Sequence, residues 1–257
     1  MLRYLKSVIF LVLFTTALSI ASSNAAASPS PSKGPSTIIV FAASSLTPTF
    51  TSLGKVFEKA HPGTTIQFSF LSSSTLAIQL LAGAPADVFA SASPTDMAAA
   101  GSRVPASVIF VSNRVVLAVP RANPLRINKV QDLNKPKIKW IQCAHQVPCG
   151  AATDAALAAE GTVTSKPVSL EPKATSVLTK ILTGEVDAAF VFHTDIVANS
   201  KILKGIAFKN VSAATTKYPI GVVENSDHLL LAKAFVNLVL SVKGMKLLYH
   251  AGFGRAK

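Results

Sequence analysis

Cysteine, aromatic residues and acidic residues are all scarce in this chain of 257 residues. There are 2 cysteines, aromatic residues make up 7%, and 12 acidic residues stand against 25 lysines and arginines. Cys143 and Cys149 form neither a CxxC motif nor a Cys/His spacing typical of zinc sites, although His145 lies between them. A metal site is therefore not expected. If the protein is exported, a disulfide that closes this short loop is expected.

The excess of positive charge does not take the form of a nucleic-acid-binding segment. The formal net charge is +13, but the lysines are scattered and no basic run is interleaved with aromatic residues. A basic protein attracts anions, nucleic acids or anionic membrane surfaces. The scatter argues against nucleic acid as a partner and leaves an anionic ligand or simply a basic, solvated surface.

No long apolar run follows the N-terminal segment. Residues 1–27 have the pattern of a secretory signal peptide, in which Arg3 and Lys6 precede an apolar core at 8–13. This core is short for a membrane span, which needs about 20 residues, so cleavage is expected and an uncleaved anchor is the alternative. No nearby cysteine offers a lipid-attachment site. Residues 28–36, rich in Ser, Pro and Gly, are expected to form a flexible tether, and the protein to be exported to the periplasm or cell envelope.

The rest of the sequence alternates between strand-like and helix-like segments. Residues 37–42 are apolar and β-branched, residues 65–70 alternate between polar and apolar, and 108–120 is a long apolar stretch interrupted at 112–114. Helices are predicted to begin near five positions: Ser45, Ser72, Gly150, Ala174 and Leu229. Such alternation predicts an α/β fold with mainly parallel sheets and right-handed crossovers.

Four segments share small or hydroxyl residues at a predicted helix start. They are residues 43–46, 72–75, 147–150 and 173–176. A helix N-terminus presents unpaired N–H groups and the positive end of the helix dipole, which together favour anion binding. Serine and threonine also cap helices that bind nothing. One such segment therefore indicates a cap, whereas four indicate an anion site if the fold brings them to one cleft.

The same segments occur in the order of a known family. The motifs are at 41–47, 72–77, 82–89, 147–150, 184–189 and 218–220. Together they resemble the molybdate-binding proteins of ABC importers, and the resemblance covers essentially the whole chain after residue 36. Any one of these motifs is unspecific, but the combination is specific to that family.

The resemblance implies a two-lobed type II periplasmic-binding-protein fold with the ligand in an interlobe cleft. Residues 37–118 and 219–257 are expected to form the first lobe, and residues 119–218 the second. The implied function is that of a monomeric, non-enzymatic binding protein that needs no cofactor. It would capture molybdate, or tungstate, and deliver it to ABC permease subunits in the membrane.

The resemblance also implies five anion-binding positions. They are Ser45, Ser73, Cys149, Ala174 and Phe192. The serines are expected to donate through hydroxyl and N–H groups, and Cys149 and Ala174 through the backbone N–H alone. All of them would contact oxygen atoms of the anion, and none would bind the metal atom directly. The family has a tyrosine at the fifth position, so Phe192 lacks a donor; Thr194, two residues along a continuing strand, is an alternative.

Three other functions fit parts of the sequence. The site would also suit sulfate or phosphate, although protonated phosphate needs an acceptor and no carboxylate falls at the matched positions. A serine hydrolase would use Ser44 or Ser45, but Gly-x-Ser-x-Gly is absent and none of the 5 histidines has a recognisable triad context. A structural or adhesive envelope protein would leave the anion motifs without a role.

Overall fold

The structure, a computed structural model, describes residues 36–161 and 163–256. The predicted signal peptide and all but the last residue of the predicted tether lie outside these ranges. Within them, no helix is long and apolar enough to cross a membrane.

Strands and helices alternate along most of the described chain. The strands are β1 (Ser36–Ala43), β2 (Thr64–Leu71), β3 (Val88–Ala90), β4 (Ser107–Pro120), β5 (Trp140–Cys143), β6 (Ser169–Glu171), β7 (Ala188–Phe192), β8 (Leu203–Ile206), β9 (Thr215–Val222) and β10 (Gly254–Arg255). The helices are α1 (Thr47–Ala60), α2 (Ser73–Leu81), α3 (Pro94–Ala99), α4 (Pro148–Glu160), α5 (Ala174–Leu182), α6 (His193–Ala198), α7 (Leu229–Leu240) and α8 (Val242–His250). This composition confirms the predicted α/β class.

The strands form two groups that share β4. The order is β2-β1-β3-β9-β4 in the first group and β4-β7-β5-β6 in the second, while β8 and β10 also pair with β4. Strand β1 is parallel to β2 and β3, and β5 is parallel to β6 and β7. Strands β4 and β9 run antiparallel to their neighbours. The sheets are therefore mixed rather than mainly parallel, because β4 carries the chain out of the first group and β9 brings it back in the opposite direction.

Strand β4 is continuous through the polar residues at which the sequence predicts an interruption. Up to Arg114 it pairs with β9, and from Val115 it pairs with β7. Asn113, at this change of partner, is buried, and its side chain donates to Thr194 Oγ1 at 3.0 Å. The polar residues thus mark where the strand passes between the two groups. The predicted lobe boundaries at 118/119 and 218/219 stay a prediction.

Each strand group packs against helices around its own hydrophobic core. In the first group, Phe50 and Phe235 are fully buried with ring centroids 5.8 Å apart. In the second, Trp140 and Phe190 meet edge to face at 5.6 Å. Burying one such side chain contributes about 1.5–3 kcal/mol. A third, smaller core around Phe89 also belongs to the first group, so the two groups share no hydrophobic core.

The helical region predicted to begin near Leu229 consists of two helices, α7 and α8. Ser241 lies between α7 and α8 in an extended conformation, and its hydroxyl oxygen accepts a hydrogen bond from Gly244 N–H at 3.1 Å. The serine is thus an N-cap for α8. The close turn needs glycine at 244, since a Cβ there would lie 2.2 Å from Leu238 O.

Candidate anion-binding site

A small cavity lies where several helices begin. It is lined by Ala43, Ser44, Ser45, Leu71, Ser72, Ser73, Ala92, Pro148, Cys149, Ala174 and Phe192. All five positions implied by the resemblance are in this set. The empty space within it is about 200 Å³, including the part open to solvent. The cavity therefore suits a small, compact ligand.

Helix N-termini supply most of the cavity wall. Ser45 lies in a short 3-10 turn between β1 and α1, and Ser73 is the first residue of α2, separated from β2 by one residue. Cys149 is the second residue of α4, and Ala174 is the first of α5. The first N–H groups of a helix have no partner within it. Several such groups, each at the positive end of a helix dipole, therefore face one small space.

Two adjacent serines at the start of α2 have different hydrogen bonds. Ser72 is the N-cap: its hydroxyl oxygen accepts from Thr75 N–H at 3.2 Å. Ser73 is fully buried, and its hydroxyl oxygen accepts from Ala92 N–H at 2.8 Å. Because Ala92 N–H occupies one lone pair of Ser73, the hydroxyl proton is left to be donated toward the cavity. Of the two, Ser73 has the arrangement expected of an anion ligand.

The electrostatics of the site come from dipoles and hydroxyl groups. No lysine, arginine, histidine, aspartate or glutamate is among the described residues that line the cavity. The polar side chains there are serines, and the backbone contributes N–H groups. Such a lining offers many hydrogen-bond donors and lacks a carboxylate to accept a proton from the ligand. The arrangement can hold an anion whose oxygens are all acceptors.

Phe192 contributes an apolar wall rather than a donor. It is the last residue of β7 and is buried, and its N–H donates to Asp195 Oδ2 at 3.0 Å. The alternative donor, Thr194, is not among the residues that line the cavity. The strand does not continue as expected: α6 begins at His193, so Thr194 turns away and its hydroxyl oxygen accepts from Asn113.

Comparison with known proteins identifies the family. Residues 38–254 match the sequence profile of the family described as bacterial extracellular solute-binding protein. The chain belongs to this family. It is therefore a binding protein and not an enzyme. The hydroxyl of Ser45, one of the two serines considered as a hydrolase nucleophile, pairs with the Tyr218 hydroxyl at 2.9 Å.

One sequence relative and two solved structures show which solute-binding proteins this chain is similar to. The molybdate-binding protein ModA of Mycobacterium tuberculosis is 36% identical over 238 residues, which is 91% of each chain. The periplasmic molybdate-binding protein of Azotobacter vinelandii superposes with a TM-score of 0.74 at 17% identity, covering 86% of this chain and 100% of that one. The sulfate-binding protein SubI of M. tuberculosis gives a TM-score of 0.74 at 20% identity, with 86% and 88% covered. The two structures confirm the type II fold, and the ModA relative confirms the resemblance drawn from the motifs.

A disulfide fixes the loop that leads into α4 of this solute-binding protein. Cys143 at the end of β5 is bonded to Cys149, with 5.7 Å between their Cα atoms. His145, between them, lies 2.6 Å from Asp154 through its Nδ1 atom. The bond ties the helix turn that carries the Cys149 N–H to a buried strand.

We expect the exported protein to contain no free thiol. Replacing Cys143 and Cys149 together by alanine should lower the free energy of unfolding by roughly 2 kcal/mol, the loop-closure value for so short a loop. Ligand binding should persist, because Cys149 is expected to donate to the ligand through its backbone N–H alone. Thiol titration of denatured, unreduced protein tests the bond, and two titratable thiols per chain would contradict it.

Proposed function

We propose that this solute-binding protein captures molybdate, with tungstate as an equivalent ligand, and delivers it to the membrane subunits of an ABC importer. The observation that carries the proposal is the uncharged cavity at which four helical N-termini and the hydroxyls of Ser45 and Ser73 meet. The ModA relative, similar over 91% of the chain, supports the choice of ion.

The donor set favours a fully deprotonated tetrahedral oxyanion. A hydrogen bond to a charged group contributes about 1.5–3 kcal/mol, so several donors hold such an ion without a buried cation. Each oxygen of molybdate or tungstate is an acceptor, which matches the lining. Phosphate near neutral pH carries a proton and would need an acceptor, which the lining does not hold as a carboxylate.

Sulfate is the second candidate ligand. It is also a tetrahedral dianion without a proton, and the fold likeness to SubI is as high as that to the A. vinelandii protein. Sulfate is smaller than molybdate, so the two ions differ in how closely the donors of a given cavity reach their oxygens. The sequence relative at 36% identity, named as a molybdate-binding protein, supports molybdate as the first candidate.

Calorimetric titration of the exported protein with molybdate, tungstate, sulfate and phosphate tests the proposal. We expect one molybdate or tungstate per chain with similar affinities, weaker sulfate binding and no phosphate binding. Tighter binding of sulfate than of molybdate would reassign the ligand. A protein that binds none of the four ions would disprove oxyanion capture.

Phe192→Tyr should raise the affinity for molybdate. Phe192 lines the cavity, and the substitution adds a hydroxyl donor at the wall that has none. The gain is bounded by about 1.5–3 kcal/mol for one hydrogen bond to a charge. Titration with molybdate measures the affinity of the variant, and thermal unfolding measures its stability.

Phe190→Tyr is the matched control for that variant. Phe190 lies two residues earlier on β7, and its ring stacks on Phe208 within the second core. A hydroxyl buried there without a partner should cost about 1–3 kcal/mol of stability and leave affinity unchanged. If Phe192→Tyr behaves in the same way, the ring of Phe192 does not point to the ion.

A further inference from the structure

Tyr218 is a buried residue behind the cavity that is not one of the five implied ligand positions. It lies on β9, its side chain is fully buried, and it does not line the cavity. Its ring contacts Phe110, Phe192 and Phe253 edge to face, with centroids 5.5–6.4 Å apart. Its hydroxyl is 2.9 Å from Ser45 Oγ. Aromatic packing therefore holds the Tyr218 hydroxyl against the cavity serine.

The neighbouring Asn113 has a fixed orientation beside Tyr218. Arg114 N–H donates to Asn113 Oδ1 at 2.9 Å, which fixes the orientation of the amide. The amide nitrogen then donates to Thr194 Oγ1 at 3.0 Å, and the Asn113 side chain also hydrogen-bonds Tyr218. In the pair of Tyr218 with Ser45, either hydroxyl can donate.

The hydroxyl of Tyr218 stays protonated in the folded protein. Burial raises the pKa of the Tyr218 hydroxyl well above its usual range, and its hydrogen bonds with Ser45 and Asn113 oppose this rise only in part. The hydroxyl is therefore a neutral donor throughout the physiological pH range. When Tyr218 is the donor of the pair, Ser45 has its own proton left for the cavity, as Ser73 does when it accepts from Ala92 N–H.

We propose that Tyr218 donates its proton to Ser45 and so is a positioning residue that holds the Ser45 hydroxyl as a donor toward the ligand and thereby selects oxyanions that carry no proton. Tyr218 then occupies one of the two lone pairs of the Ser45 oxygen, so a ligand O–H group has one acceptor position fewer at this serine. The proposal rests on the proposed function, since it concerns which oxyanion the same cavity accepts.

Tyr218→Phe removes the hydroxyl and keeps the ring that packs against its aromatic neighbours. Affinity for molybdate should fall about five- to tenfold, which corresponds to the loss of one hydrogen bond between neutral groups. The serine is then free to turn and accept, so the preference for molybdate over hydrogenphosphate should fall further than the molybdate affinity alone. Calorimetric titrations with molybdate and with phosphate at pH 7 give both values.

A double-mutant cycle with Ser45→Ala tests whether Tyr218 acts through Ser45. In the Ser45→Ala background, Tyr218→Phe should change molybdate affinity by less than about twofold, because the group it positions is gone. Phe253→Leu is the control for packing alone. It loosens the ring contact of Tyr218 at 5.5 Å and should lower the melting temperature without changing the ratio of molybdate to phosphate affinity.

Two results would overturn the proposal. One is an unchanged molybdate-to-phosphate ratio in Tyr218→Phe; the other is an equal loss of molybdate affinity with and without the Ser45 hydroxyl. Titration of the wild-type protein with molybdate shows whether a negative result concerns the role of Tyr218 or the proposed function itself. If wild type binds molybdate and the cycle shows no coupling, only the role of Tyr218 fails, whereas a wild type that binds no oxyanion removes both.

Discussion

Ser73→Ala should weaken molybdate binding by about 1.5–3 kcal/mol, roughly ten- to a hundredfold. The hydroxyl is fully buried and accepts from Ala92 N–H, so its proton is the part of the group available to a ligand. The alanine variant also leaves the Ala92 N–H without its partner, which should cost about 1–3 kcal/mol of stability. Calorimetry and urea unfolding measure the two losses separately.

Ser72→Ala is the matched control in the same turn. Ser72 also lines the cavity, but its hydroxyl oxygen caps α2 through Thr75 N–H. We expect a stability loss of about 1 kcal/mol for the missing cap and a much smaller loss of affinity than in Ser73→Ala. The reverse order of affinities would show that Ser72, and not Ser73, is the ligand on this helix.

Gly150→Ala should disturb both folding and binding. A Cβ at this position would lie 1.9 Å from Ala144 O and 2.9 Å from Cys143 O, which are backbone atoms of the disulfide-closed loop. The first turn of α4 would have to move, and the Cys149 N–H would move with it. We expect a stability loss of about 1–3 kcal/mol, as for overpacking, and a drop in molybdate affinity of about tenfold, as for a lost hydrogen bond to a charge.

Gly54→Ala is the control for Gly150→Ala. It adds the same methyl group to a helix, α1, without moving the first turn of α4. A Cβ at Gly54 would meet Phe68 Cε2 at 2.7 Å, but this atom belongs to a side chain that can shift, and the position does not line the cavity. Affinity should stay unchanged in this variant. An equal loss of affinity in both glycine variants would mean that the α4 turn has no special role at the site.

The parts of the site that sequence predicts are those set by local chain geometry. Ser45 and Ser73 each follow a strand and begin a helical segment, and in βα units these starts gather at the carboxyl ends of the strands. The same reasoning covers Cys149 and Ala174. All four positions do line one cavity in the structure, although their contacts with an ion stay a prediction.

The parts that sequence does not predict depend on long-range contacts. The bond between Ser45 and Tyr218 joins residues 173 positions apart, and no periodicity or motif spacing indicates it. The contact of Asn113 with Thr194 spans 81 positions. The sequence around 112–114 therefore predicts an interruption of the strand, whereas in the structure β4 is continuous and changes its pairing partner there from β9 to β7. Sequence likewise does not separate the cap Ser72 from the inward-facing Ser73, because the difference lies in the remote Ala92 N–H.

The most direct test of the central claim is anomalous diffraction from crystals of the protein grown with tungstate. The tungsten atom gives a strong signal and stands in for molybdenum in a nearly isosteric ion. The account predicts one anomalous peak per chain in the cavity, with tungstate oxygens within about 3 Å of Ser45 Oγ, Ser73 Oγ and the N–H groups of Cys149 and Ala174. A peak at another place on the protein, with this cavity empty, would contradict it.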